Sequence, residues 1–327
     1  MTGKNKIEGK INTMKTSNQA QFIKLDNLTS LHVTGNDASK FLHAQFTNDL
    51  ANLPVYSWQY SGYCTPKGRL LAFMTIARVA ENEYLLILPA EISEKILPRL
   101  RMYVMRDDVV ITPQEDHKVI VGIVGKGGPL IKPDLQLENK TGRITKEGDS
   151  LLLTINDGSG ENTERYMHFS DDDKIRSLPQ LSPDLNSWTL LDIETGIPSI
   201  LASTQEAFVP QMVNLDLIGA VNFKKGCYPG QEIVARVHYL GKIKQRMFVV
   251  SSEQKALAQP NDKIYIAGQE DNAIGTVVQS ATCGSGKKLQ VVLQTKAVIE
   301  NADIRLGAIN GDKLTVVLQP YTVLGDE

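Results

Sequence analysis

The stretch NFKKGCYPGQEIVARV, from Asn222 to Val237, has the most unusual local chemistry in this chain of 327 residues. Gly226 and Gly230 allow backbone angles that other residues avoid, and a proline between them fixes one further angle. From Gln231 onward, apolar residues recur at helical spacing. The stretch therefore predicts that Cys227 lies in a tight turn immediately before a helix.

The surroundings of Cys227 favour a reactive thiol. Lys224 and Lys225 precede it within three residues, and the N–H groups at a helix start add positive potential. Both influences lower a thiol pKa and raise the thiolate fraction. The alternative is that the turn needs small residues and the thiol fills a gap, as buried free cysteines often do. His238, on the predicted helix, is the nearest candidate base for a thiol hydrolase, but its proximity is better explained by chance.

A second group of residues lies in LDIETGIP, where Asp192 and Glu194 precede a turn. Trp188 stands four residues before Asp192. An aromatic ring beside carboxylates suits a flat, amine-bearing heterocycle, which stacks on the ring and donates to the acid. The competing interpretation places Trp188 in the hydrophobic core.

The composition excludes several classes of protein. The chain has 35 basic and 37 acidic side chains, so its charge favours neither nucleic acid nor an anionic membrane as a partner. Three cysteines are too few for a disulfide framework and predict a reducing, cytoplasmic setting. No apolar run approaches the roughly 20 residues of a membrane span. The histidines are dispersed and no C-x-x-C pair occurs, so we expect no metal site.

Short strand patterns alternate with helical ones along most of the chain, which predicts an α+β fold. Residues 1–20 lack a signal-peptide core and are expected to form a mobile tail. We expect an N-terminal α+β lobe over residues 21–126 and a second lobe, with the Cys227 loop, over 127–240, and these lobes can interleave. From residue 241 to 327, several short strands and no helix predict a small barrel.

The octapeptide Lys225 to Glu232, KGCYPGQE, resembles the K-G-C-Y-x-G-Q-E signature of the YgfZ-type folate-binding proteins, which are relatives of the glycine-cleavage T-protein. LDIETGIP resembles the I-E-x-G-x-P stretch of that family, and LHVTGNDASKFLHAQFTNDL and YCTPKGRLLA resemble its N-terminal blocks. The resemblance runs from about Phe22 to the end of the chain.

The resemblance implies a three-lobed body of ferredoxin-like α+β lobes and a small C-terminal barrel, around a hole that holds tetrahydrofolate or a folate derivative. It implies that Cys227 is the essential residue. It also makes Trp188 a folate-stacking residue and Glu194 a pterin partner. Leu28 stands where several members have a tryptophan, so part of their aromatic surface for the ligand is missing here. The signature residues expected to support Cys227 are Lys225, Gly226, Tyr228, Gly230, Gln231 and Glu232.

The resemblance also implies a role in maintaining iron–sulfur enzymes, such as a tRNA methylthiotransferase. We expect a monomeric cytoplasmic protein, and the near-neutral charge predicts that it does not bind nucleic acid itself. The alternative is an enzyme that transfers one-carbon units to tetrahydrofolate, for which Asp49 is a candidate catalytic acid and, on the other interpretation, a cap. A scaffold that binds tRNA directly is a third hypothesis, and the near-neutral charge argues against it.

Overall fold

The computed structural model describes residues 20–115, 118–125, 140–156, 158, 163–171, 173, 181–241, 243–269 and 272–324. The tail expected over residues 1–20 therefore lies outside the described part, apart from its last residue. Within the described residues, no helix is both long and apolar enough to cross a membrane.

The described elements alternate between strands and short helices. The helices are α1 (Ala38–Gln45), α2 (Ala90–Met102), α3 (Asn186–Glu194), α4 (Gln231–Leu240) and α5 (Thr295–Ile299). The strands are β1 (Gln21–Lys24), β2 (Leu28–Thr34), β3 (Ser57–Cys64), β4 (Leu70–Ala80), β5 (Glu83–Pro89), β6 (Val110–Pro113), β7 (Lys118–Val124), β8 (Ile144–Glu147), β9 (Ser150–Asn156), β10 (Arg165–Asp171), β11 (Leu181–Ser182), β12 (Gln245–Ser252), β13 (Lys263–Ile266), β14 (Gly275–Cys283), β15 (Gly286–Gln294), β16 (Ile304–Leu306) and β17 (Asp312–Val316).

A five-stranded antiparallel sheet has the order β3-β4-β5-β2-β6. Helices α1 and α2 cover one of its faces with apolar side chains such as Phe41 and Ile96. Strand β4 is buried along most of its length because its two faces join different cores. Met74 points into the core under the helices, whereas Phe73 and Ala77 join two cores on the other side.

A six-stranded mixed sheet has the order β11-β1-β7-β10-β9-β8. Its strand β1 pairs in parallel with β11 and antiparallel with β7, although the whole five-stranded sheet lies between β1 and β7 in sequence. Arg165 is buried at the start of β10, in a strand that is buried along almost all of its length. Helix α3 packs mainly against β14 of the last domain, so it joins this sheet to the barrel.

The C-terminal part is a closed barrel with the order β12-β15-β14-β13-β16-β17. The predicted α+β class and the predicted C-terminal barrel are both confirmed. One element of the barrel domain differs from the sequence prediction, since α5 is a five-residue helix where none was expected. A segment this short does not complete a periodic pattern.

Candidate functional site

Cys227 lies in the turn before α4, and its side chain is exposed to solvent. Gly230 ends the turn in the left-handed region with φ of 81°, immediately before the first helical residue. The N–H of Gln231 donates to the carbonyl of Tyr228 at 3.1 Å and closes the turn. The predicted turn followed by a helix is confirmed, and this arrangement leaves the thiol accessible.

Lys225 ties this loop to the end of α1. Its ammonium group donates to the backbone carbonyls of His43 and Phe46, the latter at 2.6 Å, and lies 4.9 Å from the centroid of the Tyr228 ring. Burial lowers the pKa of Lys225 to about 8, although nearby anionic groups favour its cation. The cation next to Cys227 is therefore partly desolvated, and its protonation changes close to neutral pH.

The loop also packs against a second turn, within YCTPKG from Tyr63 to Gly68. A Cβ on Gly230 would come within 2.5 Å of the Thr65 carbonyl oxygen and 2.6 Å of Gly68. Gly68 in turn lies against Ile233 of α4. Two blocks that are far apart in sequence thus meet backbone to backbone, at a distance that only glycine permits.

A histidine and a carboxylate border the loop as well. His43 Nδ1 is 3.2 Å from Asp49 Oδ1, and Asp49 accepts hydrogen bonds from the backbone and side chain of Asn52. A Cβ on Gly226 would lie 3.6 Å from His43 Nε2, so the imidazole borders the residue before Cys227. Burial lowers the pKa of His43, and the Asn52 hydrogen bonds lower that of Asp49. The pair is a neutral imidazole beside a carboxylate at neutral pH.

Sequence reasoning missed His43, because nothing in its spacing links α1 to a loop much later in the chain. Asp49 caps the turn that contains Asn52, in agreement with the capping interpretation. The histidine that the sequence did suggest, His238, stacks on Phe223 with ring centroids 3.7 Å apart. Its ring is thus held against an aromatic side chain of the same region.

The three cysteines have different environments. Cys227 is exposed, Cys283 is half-buried and Cys64 is buried. Burial raises the pKa of Cys64 to about 12. Cys64 therefore stays protonated at neutral pH, whereas Cys227 is accessible to solvent.

The predicted ligand residues Trp188 and Leu28 lie together in one hydrophobic cluster. The Trp188 side chain is only 4% exposed, and the guanidinium of Arg165 lies 4.0 Å from its ring centroid. A Cβ on Gly122 would come within 2.5 Å of the same ring. A ligand thus has access to little of the ring, and the stacking role of Trp188 stays a prediction.

Asp192 lies one helical turn after Trp188. It belongs to a group of three polar residues with Arg165 and Tyr60, of which the sequence analysis identified only Asp192. Arg165 donates to Asp192 Oδ1 at 2.7 Å. Tyr60 packs against two separate hydrophobic clusters, and its side chain is half-buried. This burial and the negative charge of Asp192 both raise the pKa of the Tyr60 hydroxyl. The Asp192 side chain is 23% exposed, while burial raises its pKa as well. Asp192 and Tyr60 are therefore two polar side chains that each keep some contact with solvent.

Glu194 faces the barrel instead. Its carboxylate pairs with Lys288 of β15 at 2.5 Å. Of the other signature residues, Gln231 donates to the Lys225 carbonyl at 3.4 Å and Glu232 is exposed in the first turn of α4. The predicted residues thus form two groups, one around the Cys227 loop and one around Trp188 and Asp192. Among the described residues, no three histidine, cysteine or acidic side chains are placed to hold a metal ion.

Comparison with known proteins agrees with this architecture. Residues 9–128 match the family model described as the GCVT N-terminal domain. A protein of Blochmanniella pennsylvanica named tRNA-modifying protein YgfZ is 28% identical over 301 residues, which are 87% of this chain and 90% of that protein. A protein of the same name from Escherichia coli is 28% identical over 311 residues, covering 91% of each chain.

The crystal structure of the glycine cleavage system aminomethyltransferase T from Bartonella henselae superimposes with a TM-score of 0.74. The match covers 94% of this chain and 88% of that one at 15% sequence identity, so it concerns the fold alone. The chain is therefore a homologue of the YgfZ tRNA-modifying proteins, built on the fold of aminomethyltransferase T.

Proposed function

We propose that the chain binds a reduced folate and, through Cys227, helps to keep iron–sulfur enzymes active, among them a tRNA methylthiotransferase. It would do this in the cytoplasm. The name of the YgfZ relatives supports a role in tRNA modification, and the folate, the iron–sulfur enzymes and the use of the thiol are our proposal.

The observation that carries the proposal is the contrast between an exposed thiol and the buried cation behind it. Cys227 is open to solvent, while the amine of Lys225 is held by two backbone carbonyls at the end of α1. A cation fixed next to a thiol stabilises the thiolate, which is the nucleophilic and metal-binding form. The exposed position lets this thiolate meet a group on another macromolecule.

Residues beside the cluster of Trp188 match a folate in chemical type. Leu28 is a half-buried apolar side chain, only 4% of Trp188 is exposed, and Asp192 adds a carboxylate that is partly open to solvent. A pteridine is a flat ring with adjacent N–H donors and acceptors, and it suits apolar walls with a few placed polar groups. The fit supports folate as the ligand class.

The second candidate, folate-dependent one-carbon transfer, has one observation in its favour. Asp49 is an ionised carboxylate that lies near the Cys227 loop through its contact with His43. A carboxylate in such a place can position an amine-linked carbon. Incubation with tetrahydrofolate and an N-methyl donor separates the two functions, because a binding protein gives no methylene-folate product.

The test of the proposal is a calorimetric titration of the wild type and of Cys227→Ser with 5-formyltetrahydrofolate, which resists oxidation. We expect saturable binding by both proteins, because the thiol acts on a partner and not on folate affinity. Absence of binding by the wild type at millimolar folate would refute the folate part of the proposal. Much weaker binding by Cys227→Ser would place the thiol in the folate site instead.

A further inference from the structure

Three aromatic rings, those of Phe223, His238 and Tyr239, form a cluster beside the Cys227 loop, here called the ring cluster. Phe223 and His238 lie face to face, with ring centroids 3.7 Å apart and planes 9° from parallel. Tyr239 stands edge-on to His238, with centroids 4.7 Å apart. His238 is exposed although one of its faces covers Phe223, so its free surface lies on the other face and the ring edges. Because Tyr239 is 63% exposed as well, the ring cluster presents two ring surfaces to solvent.

The charge of this segment differs from that of the whole chain. From Asn222 to Gln245 the sequence has five basic residues and one acidic residue, Glu232, whereas the whole chain has 35 and 37. Lys224, Arg236 and Lys244 are exposed, and none of them forms an ion pair within the described part of the chain. A positive patch is thus present locally, although the net charge of the chain does not favour nucleic acid.

The free cations lie next to the rings. Arg236 and Tyr239 are three residues apart on α4, which makes them neighbours on the helix surface. Lys224 directly follows Phe223 in the loop. Positive charge therefore borders the ring cluster both on the helix and on the loop.

The ring cluster and the reactive thiol lie towards opposite ends of α4. Phe223 contacts the last turn of the helix through His238, whereas Gly230 precedes its first residue. The chain between these two points therefore runs alongside α4, with Cys227 near the N-terminal end. The rise of an α-helix places His238 about 10 Å along the axis from Gln231. The exposed rings and the exposed thiol are thus within the span of a short oligonucleotide.

We propose that the ring cluster is a stacking platform for unpaired bases of RNA, and that Lys224 and Arg236 bind the flanking phosphates. Unpaired bases stack on aromatic side chains, including those of His and Tyr, and a basic surface attracts the phosphate backbone. Exposed apolar side chains such as Leu240 would also suit a protein partner, but the excess of free cations over the single carboxylate of the segment favours a polyanion. The inference goes beyond the proposed function, which requires no contact between this chain and RNA.

The test measures, by fluorescence anisotropy, the binding of a fluorescein-labelled RNA hairpin with an unpaired loop and of a fully paired duplex with the same stem. The wild type should bind the hairpin more tightly, because only the loop offers free bases. Tyr239→Ala should weaken hairpin binding about 5- to 50-fold, since it removes a stacking surface. Tyr103→Ala, at an exposed tyrosine just after α2, is the matched control and should bind like the wild type.

Salt dependence separates the two kinds of contact. Arg236→Met should lower the slope of log Kd against log KCl concentration by about 0.7, the value of one phosphate contact on a single strand, whereas Tyr239→Ala should leave the slope unchanged. Lys296→Met, at an exposed lysine of α5, is the control for the lost charge and should also leave the slope unchanged.

Equal affinity of the wild type for hairpin and duplex, or wild-type affinity of Tyr239→Ala for the hairpin, would overturn the proposal. Absence of any RNA binding would overturn it too, and would favour a protein surface as the occupant. The titrations contain neither folate nor a thiol reagent, so their outcome is independent of the proposed folate binding and of Cys227.

Discussion

The reactivity of each cysteine follows from what surrounds its sulfur. Cys64 is enclosed, and burial raises its pKa to about 12, whereas Cys227 is exposed next to the Lys225 cation. Cys283 is half-buried at the end of β14. The same functional group is thus inert in the body of the protein and available in the loop.

We predict that Cys227 reacts with iodoacetamide before the other two cysteines at pH 7. Cys64 should react more than about 100-fold more slowly, because the thiolate is the reacting form and a raised pKa suppresses it. Mass spectrometry of peptides from timed, native-state alkylation measures all three rates at once. Equal rates for the three thiols would contradict the reactive-thiol proposal.

Lys225 should control this reactivity. Replacing it with Met removes the cation, and we expect the alkylation rate of Cys227 at pH 7 to fall about three- to tenfold. The pKa of Lys225 is about 8, so its cation is present below this pH and is lost above it. The difference between wild type and Lys225→Met should therefore shrink by pH 9.5. Lys224→Met changes an exposed lysine in the same loop and is the matched control, which should alter the alkylation rate of Cys227 little. An equal fall in that rate in both variants would argue against a specific role for Lys225.

At the scale of elements, local patterns in sequence identified α4 and the hairpin of β4 and β5, because each forms from neighbouring residues with a clear period. They did not identify the contact between the Gly230 turn and Gly68, since a close backbone approach leaves no periodic pattern. The same reason hid His43, which reaches the loop only through the fold.

Gly230→Ala should disturb the loop by two separate effects. Its φ of 81° disfavours any side chain, and a Cβ would also overlap the Thr65 carbonyl oxygen at 2.5 Å. Gly219 has a similar φ of 70° with nothing within 4 Å, so Gly219→Ala reports the backbone effect alone. We expect a loss in unfolding free energy of about 1 kcal/mol for Gly219→Ala and about 1 to 3 kcal/mol more for Gly230→Ala. Urea unfolding measures both, and equal losses would show that the close contact is unimportant.

At the scale of the whole molecule, the barrel is fixed to the body by a buried ion pair. Arg246 of β12 binds both oxygens of Asp216, at 2.7 and 2.9 Å, and also donates to the carbonyl of Gln211 at 2.9 Å. Both side chains are about 10% exposed or less. The pair holds the first barrel strand against the chain segment that leads to the Cys227 loop.

Asp216→Asn should therefore lower the unfolding free energy by about 3 kcal/mol, because it leaves a buried guanidinium unpaired. The matched control is Glu300→Gln, whose pair with Lys296 is 3.8 Å long and well exposed, and whose expected effect is below about 0.5 kcal/mol. Urea denaturation of both variants gives the comparison. Similar small losses in the two would mean that this pair does not secure the barrel.

The overall architecture was predictable from sequence mainly through the family resemblance. The pairing of β1 with β7 joins segments on either side of a complete sheet, and no local pattern marks it. The pairing of Arg165 with Asp192 brings β10 to α3 in the same way. Arg165 begins the strand RYMHFSD, and an arginine next to the large side chains of Tyr166 and Met167 was the signal in sequence that could have indicated a buried ion partner.

The role proposed for Cys227 is tested most directly by the level of methylthiolated nucleoside in tRNA from cells that lack this protein and are supplied with variants of it. Wild type and Cys283→Ser should restore the modification, since Cys283 lies outside the Cys227 loop. Cys227→Ser, present at the same protein level, should leave it at the level of the empty vector. Restoration of the modification by Cys227→Ser would show that this thiol is not required for it.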